Sequence, residues 1–241
     1  MITPTYRRVT QRLDLVRLTN SLGHVENVHF VLVEDSHQIT PRIQQLLDAS
    51  PVLHWSHLHF STTGQYHVKG AEQRNTGLDH IRGMISSEID ADLRRAYEAG
   101  VVYFADESNA YDLKLFAEIR KVKRIGVWPV GAVSGLPFQH CVVSPNTGKI
   151  KGYVAESLNP FPMDTAGFGI HVKSILTHSR DEPRWNKHAE ADMAITDFLQ
   201  QFGLPLEELE PLGSNCTEVH RVDELLQILV HCAGARMEGA Y

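Results

Sequence analysis

The stretch that most constrains the fold runs from Gly100 to Tyr111. A run of β-forming residues, Val101 to Phe104, stops abruptly at a polar cluster of Asp106, Glu107, Ser108 and Asn109. A helical pattern over residues 91–99 precedes it and ends at Gly100, and another follows from Leu113 to Val122. Strands that alternate with helices build an α/β sheet, in which ligands bind at the carboxyl ends of the strands. Two adjacent acids at such a tip suit a hard divalent cation that bridges to phosphate oxygens. They equally suit a plain helix start, with Asp106 or Ser108 as the cap.

The rest of the chain keeps the same alternation. Val9, Leu13, Val16 and Leu18 give residues 7–22 an amphipathic helical period. Val28 to Val33 reads as a buried parallel strand. Pro41 opens a short helix through Leu47 with Thr40 as its cap, and Leu53 to Phe60 forms a further strand. Residues 71–85 form a helix with Leu78, Ile81 and Ile85 facing inward. Ile125 to Val133 is a strand, followed by a hairpin that turns near Asn146-Thr147-Gly148, and residues 190–202 form one more helix. The pattern predicts an α/β fold with a mainly parallel central sheet flanked by helices.

Composition narrows the function classes. The 241 residues are 42% hydrophobic with a formal net charge of −6, so no basic face points to nucleic acid. No apolar run approaches membrane-spanning length, and no signal peptide precedes Ile2. The three cysteines, Cys141, Cys216 and Cys232, lack zinc-site spacing and read as small buried apolar residues. In a secretory protein an odd count leaves one thiol free or paired between chains. Asn215-Cys216-Thr217 is formally a glycosylation sequon.

Several short segments occur in a family's order. They are Ile2-Thr3-Pro4-Thr5-Tyr6, Val31-Leu32-Val33-Glu34-Asp35, Lys69 to Asn75, and the Val101–Tyr111 stretch. Val127 to Gly131, Asp164 to Phe168, Leu209-Glu210-Pro211 and Asn215-Cys216-Thr217 follow. Over roughly residues 2–219 the chain resembles glycosyltransferase family 43, the β-1,3-glucuronyltransferases. The resemblance implies a GT-A nucleotide-sugar transferase fold. It implies a catalytic domain over residues 1–221, with a UDP-sugar half (1–109) and an acceptor half (110–221), and a divergent helix and tail over residues 222–241. That helix would cover the core or a dimer face.

The resemblance also assigns residues. Pro4, Thr5 and Tyr6 match the loop against the nucleobase, and Asp35 the acid that contacts uracil. Lys69 and Arg74 match the phosphate-side basic residues. Asp106, Glu107 and Ser108 stand where the family carries three acids that bind Mn²⁺, and serine is a poor ligand. Either Glu107 reaches the metal in place of the lost acid, or metal affinity falls. Gln139 and Asn159 replace an acid and an arginine on the acceptor side, where Asp164 is retained. Glu190 is the match for the general base, with Asp192 as the competing choice. The family's Trp-His-Thr-Arg-Thr strand is absent after Thr217.

The implied activity is inverting transfer of glucuronic acid from UDP-glucuronic acid to a terminal galactose of a glycan, forming a β-1,3 bond, by a Golgi membrane protein with its catalytic domain in the lumen. The alternative is a catalytically weakened relative that binds nucleotide, glycan or a partner protein.

Overall fold

The computed structural model describes residues 1–64, 68–133, 136–177, 182–218 and 221–222. The first half is built from β1 (Ile2–Tyr6), α1 (Gln11–Leu22), β2 (His29–Asp35), α2 (Pro41–Asp48), β3 (His54–His59), α3 (Ala71–Ser87), α4 (Ala91–Glu98) and β4 (Val101–Tyr103). The second half contains β5 (Ala110–Tyr111), α5 (Leu113–Ile119), β6 (Ile125–Val127), β7 (Val130–Val133), β8 (Leu136–Val143), β9 (Ile150–Val154), β10 (Phe168–His171), α6 (Val172–Leu176), α7 (Ala194–Gln200), β11 (Glu210–Pro211) and β12 (Arg221–Val222).

Strands β1, β2 and β3 are parallel, with β2 in the middle. A parallel bridge from Ile2 to Phe104 sets the end of β4 on the other side of β1. Beyond β4 lie β10, β6 and β11, with β10 antiparallel to both of its neighbours. The continuous parallel order lies in the first half, and the second half keeps only two short parallel pairings, β11 with β6 and β12 with β7. The second half adds antiparallel pairs, including the β8–β9 hairpin, whose turn contains Gly148 at φ +66°.

Strand β2 shows why the centre holds. Phe30 and Leu32 face a cluster with Leu15, Leu18, Leu22, Ile43 and Leu47 from α1 and α2. Val31 and Val33 face the opposite cluster, with Leu78, Ile81 and Ile85 from α3. Both faces are covered, which is what a near-continuous apolar strand requires. Helix α3 lies close against β1, because a Cβ at Gly77 would come within 2.6 Å of Ile2 Cγ2.

Four expectations change. Helix α1 starts at Gln11, and its inward stripe is Leu15, Leu18 and Leu22, while Val9 and Leu13 are exposed. The strand expected over Ile125–Val133 breaks at Trp128-Pro129, where proline has no N–H for a ladder. The helix expected over residues 190–202 covers only Ala194–Gln200. Cys141 and Cys216 are joined in a disulfide across a sequence separation of 75, not left as reduced core residues. Two-residue β12 pairs with β5 and β7. The helix expected over residues 223–232, and the dimer face it would form, lie outside the described residues.

Candidate donor site

The chain passes from β1 outward to β2 and β3, then returns to β4 on the other side of β1. Helices α1 and α2 pack on one face of the sheet and α3 on the other. This reversal of direction makes the carboxyl ends of β1 and β4 a topological switch point, the place where α/β sheets bind ligands. Tyr6 closes β1 and lies in register with Asp35 at the end of β2, while Asp106 lies just beyond β4.

The segment Gly70 to Asn75 forms one wall. Gly70 adopts φ +75°, and a Cβ there would meet Pro4 Cβ at 3.3 Å, so the turn presses the start of α3 onto β1. Gln73 Nε2 donates to Thr62 Oγ1 at 3.0 Å, and Thr62 N donates to Asp35 Oδ1 at 2.8 Å. Asn75 holds the main chain of Trp185 in both directions, accepting from its N–H at 2.8 Å and donating to its carbonyl at 3.0 Å. These two amides are struts, and Arg74, the phosphate-side residue expected from the sequence, lies between them. Its Nη1 donates to the Lys69 carbonyl at 3.0 Å, its Cζ sits 5.0 Å from the centre of the Trp185 ring, and its Nη2 lies 3.7 Å from Asp106 Oδ1. Trp185 in turn stacks on Phe198 at 4.5 Å. Burial lowers the Arg74 pKa, and the charges of Asp106, Asp164 and Glu107 oppose that shift. The Lys69 residue is exposed beside this wall.

The acidic turn forms the opposite wall. The Tyr111 hydroxyl donates to the Asp106 carbonyl and accepts from the Asp106 N–H, both at 2.9 Å. The Asp106 side chain is 40% exposed. Glu107 is buried and ion-paired with Arg8, and Ser108 is exposed. Asp106 is thus the more exposed of the two acids of the cluster, within 3.7 Å of Arg74. Among the described residues no group of three His, Cys, Asp or Glu side chains is placed to hold a metal by itself.

The acceptor-side residues lie on the second half. Gln139 on β8 is buried, and its Oε1 accepts from Asp164 N at 2.7 Å. Asp164 also caps the short turn Thr165–Gly167, accepting from Ala166 N at 2.9 Å. Its charge is felt by Arg74, which ties this group electrically to the donor wall. Burial raises the Tyr153 phenol pKa, and Asp164 adds to the shift. Asn159 Nδ2 donates to the Asp192 carbonyl at 2.7 Å. Glu190 and Asp192 are exposed in the turn before α7, and Glu190 O accepts from Met193 N at 2.9 Å. Gln73 and Asn75 belong to the Lys69–Asn75 segment singled out in the sequence, but their strut role is visible only here, and Trp185 and Arg8 carry no local signal.

The model of glycosyltransferase family 43 matches residues 18–222. The chain belongs to this family. It is 36% identical over 236 residues to galactosylgalactosylxylosylprotein 3-beta-glucuronosyltransferase sqv-8 of Caenorhabditis elegans, covering 91% of this chain and 61% of that protein. It is 34% identical over 231 residues to galactosylgalactosylxylosylprotein 3-beta-glucuronosyltransferase 1 of Homo sapiens, covering 91% of this chain and 66% of that protein. The chain therefore spans somewhat less than two thirds of these curated relatives. A mannosyltransferase from Pyrobaculum calidifontis, solved with GDP-Man and Mn²⁺, superposes with a TM-score of 0.51 at 14% identity, covering 92% of this chain and 55% of that one. The fold is that of the GT-A nucleotide-sugar transferases.

Arg74→Ala is expected to weaken UDP binding by roughly 1.5–3 kcal/mol, the usual loss for a charge-assisted bond. Isothermal titration checks this, and unchanged affinity would remove Arg74 from the phosphate site.

Proposed function

We propose that this chain is an inverting glycosyltransferase that moves glucuronic acid from UDP-glucuronic acid to a terminal galactose, forming a β-1,3 bond. The observation that carries the reading is Arg74 paired with Asp106 at the switch point, at 3.7 Å, in a member of family 43. The relatives above are named as 3-beta-glucuronosyltransferases, which favours an enzyme over a non-catalytic binding protein.

Each residue has a task in this reading. Tyr6 and Asp35, side by side in register, take the uracil, with Pro4 and Thr5 shaping the floor of that loop. Arg74 and Lys69 meet the diphosphate, whose charge they offset. Gln139, Asn159 and Asp164 orient the acceptor. The acceptor hydroxyl attacks the anomeric carbon as the bond from that carbon to the phosphate oxygen breaks, and Glu190 takes the hydroxyl proton. Asp192 is the alternative base.

The residues present fit a divalent cation carried in with the diphosphate, since one open carboxylate plus substrate phosphates is a usual arrangement for such ions. Asp106 would hold Mn²⁺, with Ser108 beside it, and the ion would neutralise charge on the departing diphosphate. Ser108→Asp is expected to strengthen UDP binding with Mn²⁺ and to weaken it in chelator, because an added carboxylate attracts the cation and repels bare phosphate. Titration under both conditions checks this, and no change in either means that the side chain faces elsewhere.

The Cys141–Cys216 disulfide supports an oxidising compartment, in line with a Golgi lumen. Among the described residues no helix is long and apolar enough to cross a membrane. The reading is tested by UDP release from UDP-glucuronic acid, with and without Mn²⁺ and a galactose-terminated acceptor. Release that needs both is expected; none under any condition would overturn it.

A further inference from the structure

We propose that Arg8 is a positioning residue that couples the nucleobase side of the donor site to its acidic side, and that Glu107 is its buried anchor and not a metal ligand. The inference rests on the donor-site reading above. Arg8 lies in the loop between β1 and α1, directly after the nucleobase segment.

Its guanidinium is fully engaged. Nη1 is paired with Glu107 Oε1, Nη2 lies 2.6 Å from Asp14 Oδ2, and Nε donates to Thr10 Oγ1 at 3.1 Å. Its Cζ lies over the Tyr6 ring, 5.1 Å from the centroid. Asp14 and Glu107 are 7% and 4% exposed, so this is no solvated surface pair. Removing the cation would leave the buried Glu107 carboxylate without its ion partner, and Asp14 with Arg17 alone at 3.7 Å. Burial opposes the charge on Arg8, yet Glu107 and Asp14 raise its pKa overall.

The geometry explains which acid of the cluster is presented. Arg17 on α1 donates to the Ser108 carbonyl at 2.8 Å. Arg8 draws the Glu107 carboxylate inward, and the Tyr111 hydroxyl fixes the Asp106 main chain from the other side. With Glu107 turned inward, the Asp106 carboxylate is the more exposed acid of the turn, 40% exposed and 3.7 Å from Arg74. Releasing Glu107 would free the turn to rotate and would add a second, unplaced acid near the diphosphate. The same substitution would remove the cation from beneath Tyr6. One side chain thus sets both ends of the donor.

The test compares wild type, Arg8→Ala, Arg8→Lys, Glu107→Gln and the Arg8→Ala/Glu107→Gln pair. UDP affinity is titrated with Mn²⁺ and in chelator, and donor KM, acceptor KM and kcat are measured. Arg8→Ala is expected to weaken UDP binding with Mn²⁺ by about 10–100-fold, the usual cost of losing a group that orients a ligand-binding residue. It should also raise donor KM while leaving acceptor KM unchanged. Arg8→Lys should recover only part of the affinity, because an ammonium cannot fork between two carboxylates. In the Glu107→Gln background the Arg8→Ala loss should shrink. A merely structural role would lower the unfolding temperature and leave the affinity of the folded protein intact. Wild-type affinity in a folded Arg8→Ala, or in Arg8→Lys should the alanine variant not fold, overturns the inference. So does strict additivity of the two substitutions. If wild type itself binds no UDP, the donor-site reading falls, and this inference with it.

Discussion

Glu190→Gln is expected to lower kcat by about 10²–10⁴-fold while leaving UDP affinity in place. Glutamine keeps the shape and the hydrogen-bonding reach of the side chain but cannot take up the proton of the attacking hydroxyl. The local backbone should survive, because it is the Glu190 carbonyl, not its carboxylate, that accepts from Met193 N. Asp192→Asn is the informative companion. Asn159 holds the Asp192 carbonyl, so that strut also survives the substitution. With Glu190 as the base, Asp192→Asn should cost far less than Glu190→Gln. The reverse order in initial-rate measurements would assign the base to Asp192.

The second large effect is on stability. Cys216→Ser is expected to lower the unfolding free energy by about 4 kcal/mol, the chain-entropy value for a loop of this size. The bond closes a sequence separation of 75 and ties β8 to the segment after β11, with the two Cα atoms 5.6 Å apart. Beyond Cys216 the chain reaches β12, which pairs with β5 next to the acidic turn. Loosening the crosslink should therefore reduce donor affinity as well as stability. Urea unfolding of the variant, and of wild type with and without reductant, checks this. Identical midpoints in all three would show that the bond adds nothing.

Much of this arrangement is legible in the sequence because it depends on local signals. The apolar run of β2, the inward stripe of α3 and the abrupt polar tip after Phe104 each follow from neighbours a few residues apart. What escapes depends on distant partners. The stripe of α1 is misjudged because Val9 and Leu13 follow the helical period as well as Leu15 and Leu22 do, and only the position of β2 chooses between them. Helix α7 begins only at Ala194, and the contacts around its start, from Asn159 to Asp192 and from Phe161 to Thr196, come from a loop distant in sequence. The disulfide pairing rests on a proximity that no spacing rule reveals. Arg8 looks like a solvated loop residue until Glu107 and Asp14 are seen around it. The site follows the same division. Its acids and Arg74 are readable as chemistry, whereas Trp185 and the amide struts that aim Arg74 are readable only in three dimensions.

The central claim is that the switch point at the ends of β1 and β4 holds a UDP-sugar, with Asp106 as the metal-side acid of the turn. A crystal structure of the protein soaked with UDP and Mn²⁺, with anomalous data at the manganese edge, tests this most directly. The account predicts a manganese peak beside the Asp106 carboxylate, the uracil against Tyr6 and the diphosphate beside Arg74. A peak coordinated by Glu107, or a nucleotide bound away from this switch point, would contradict it.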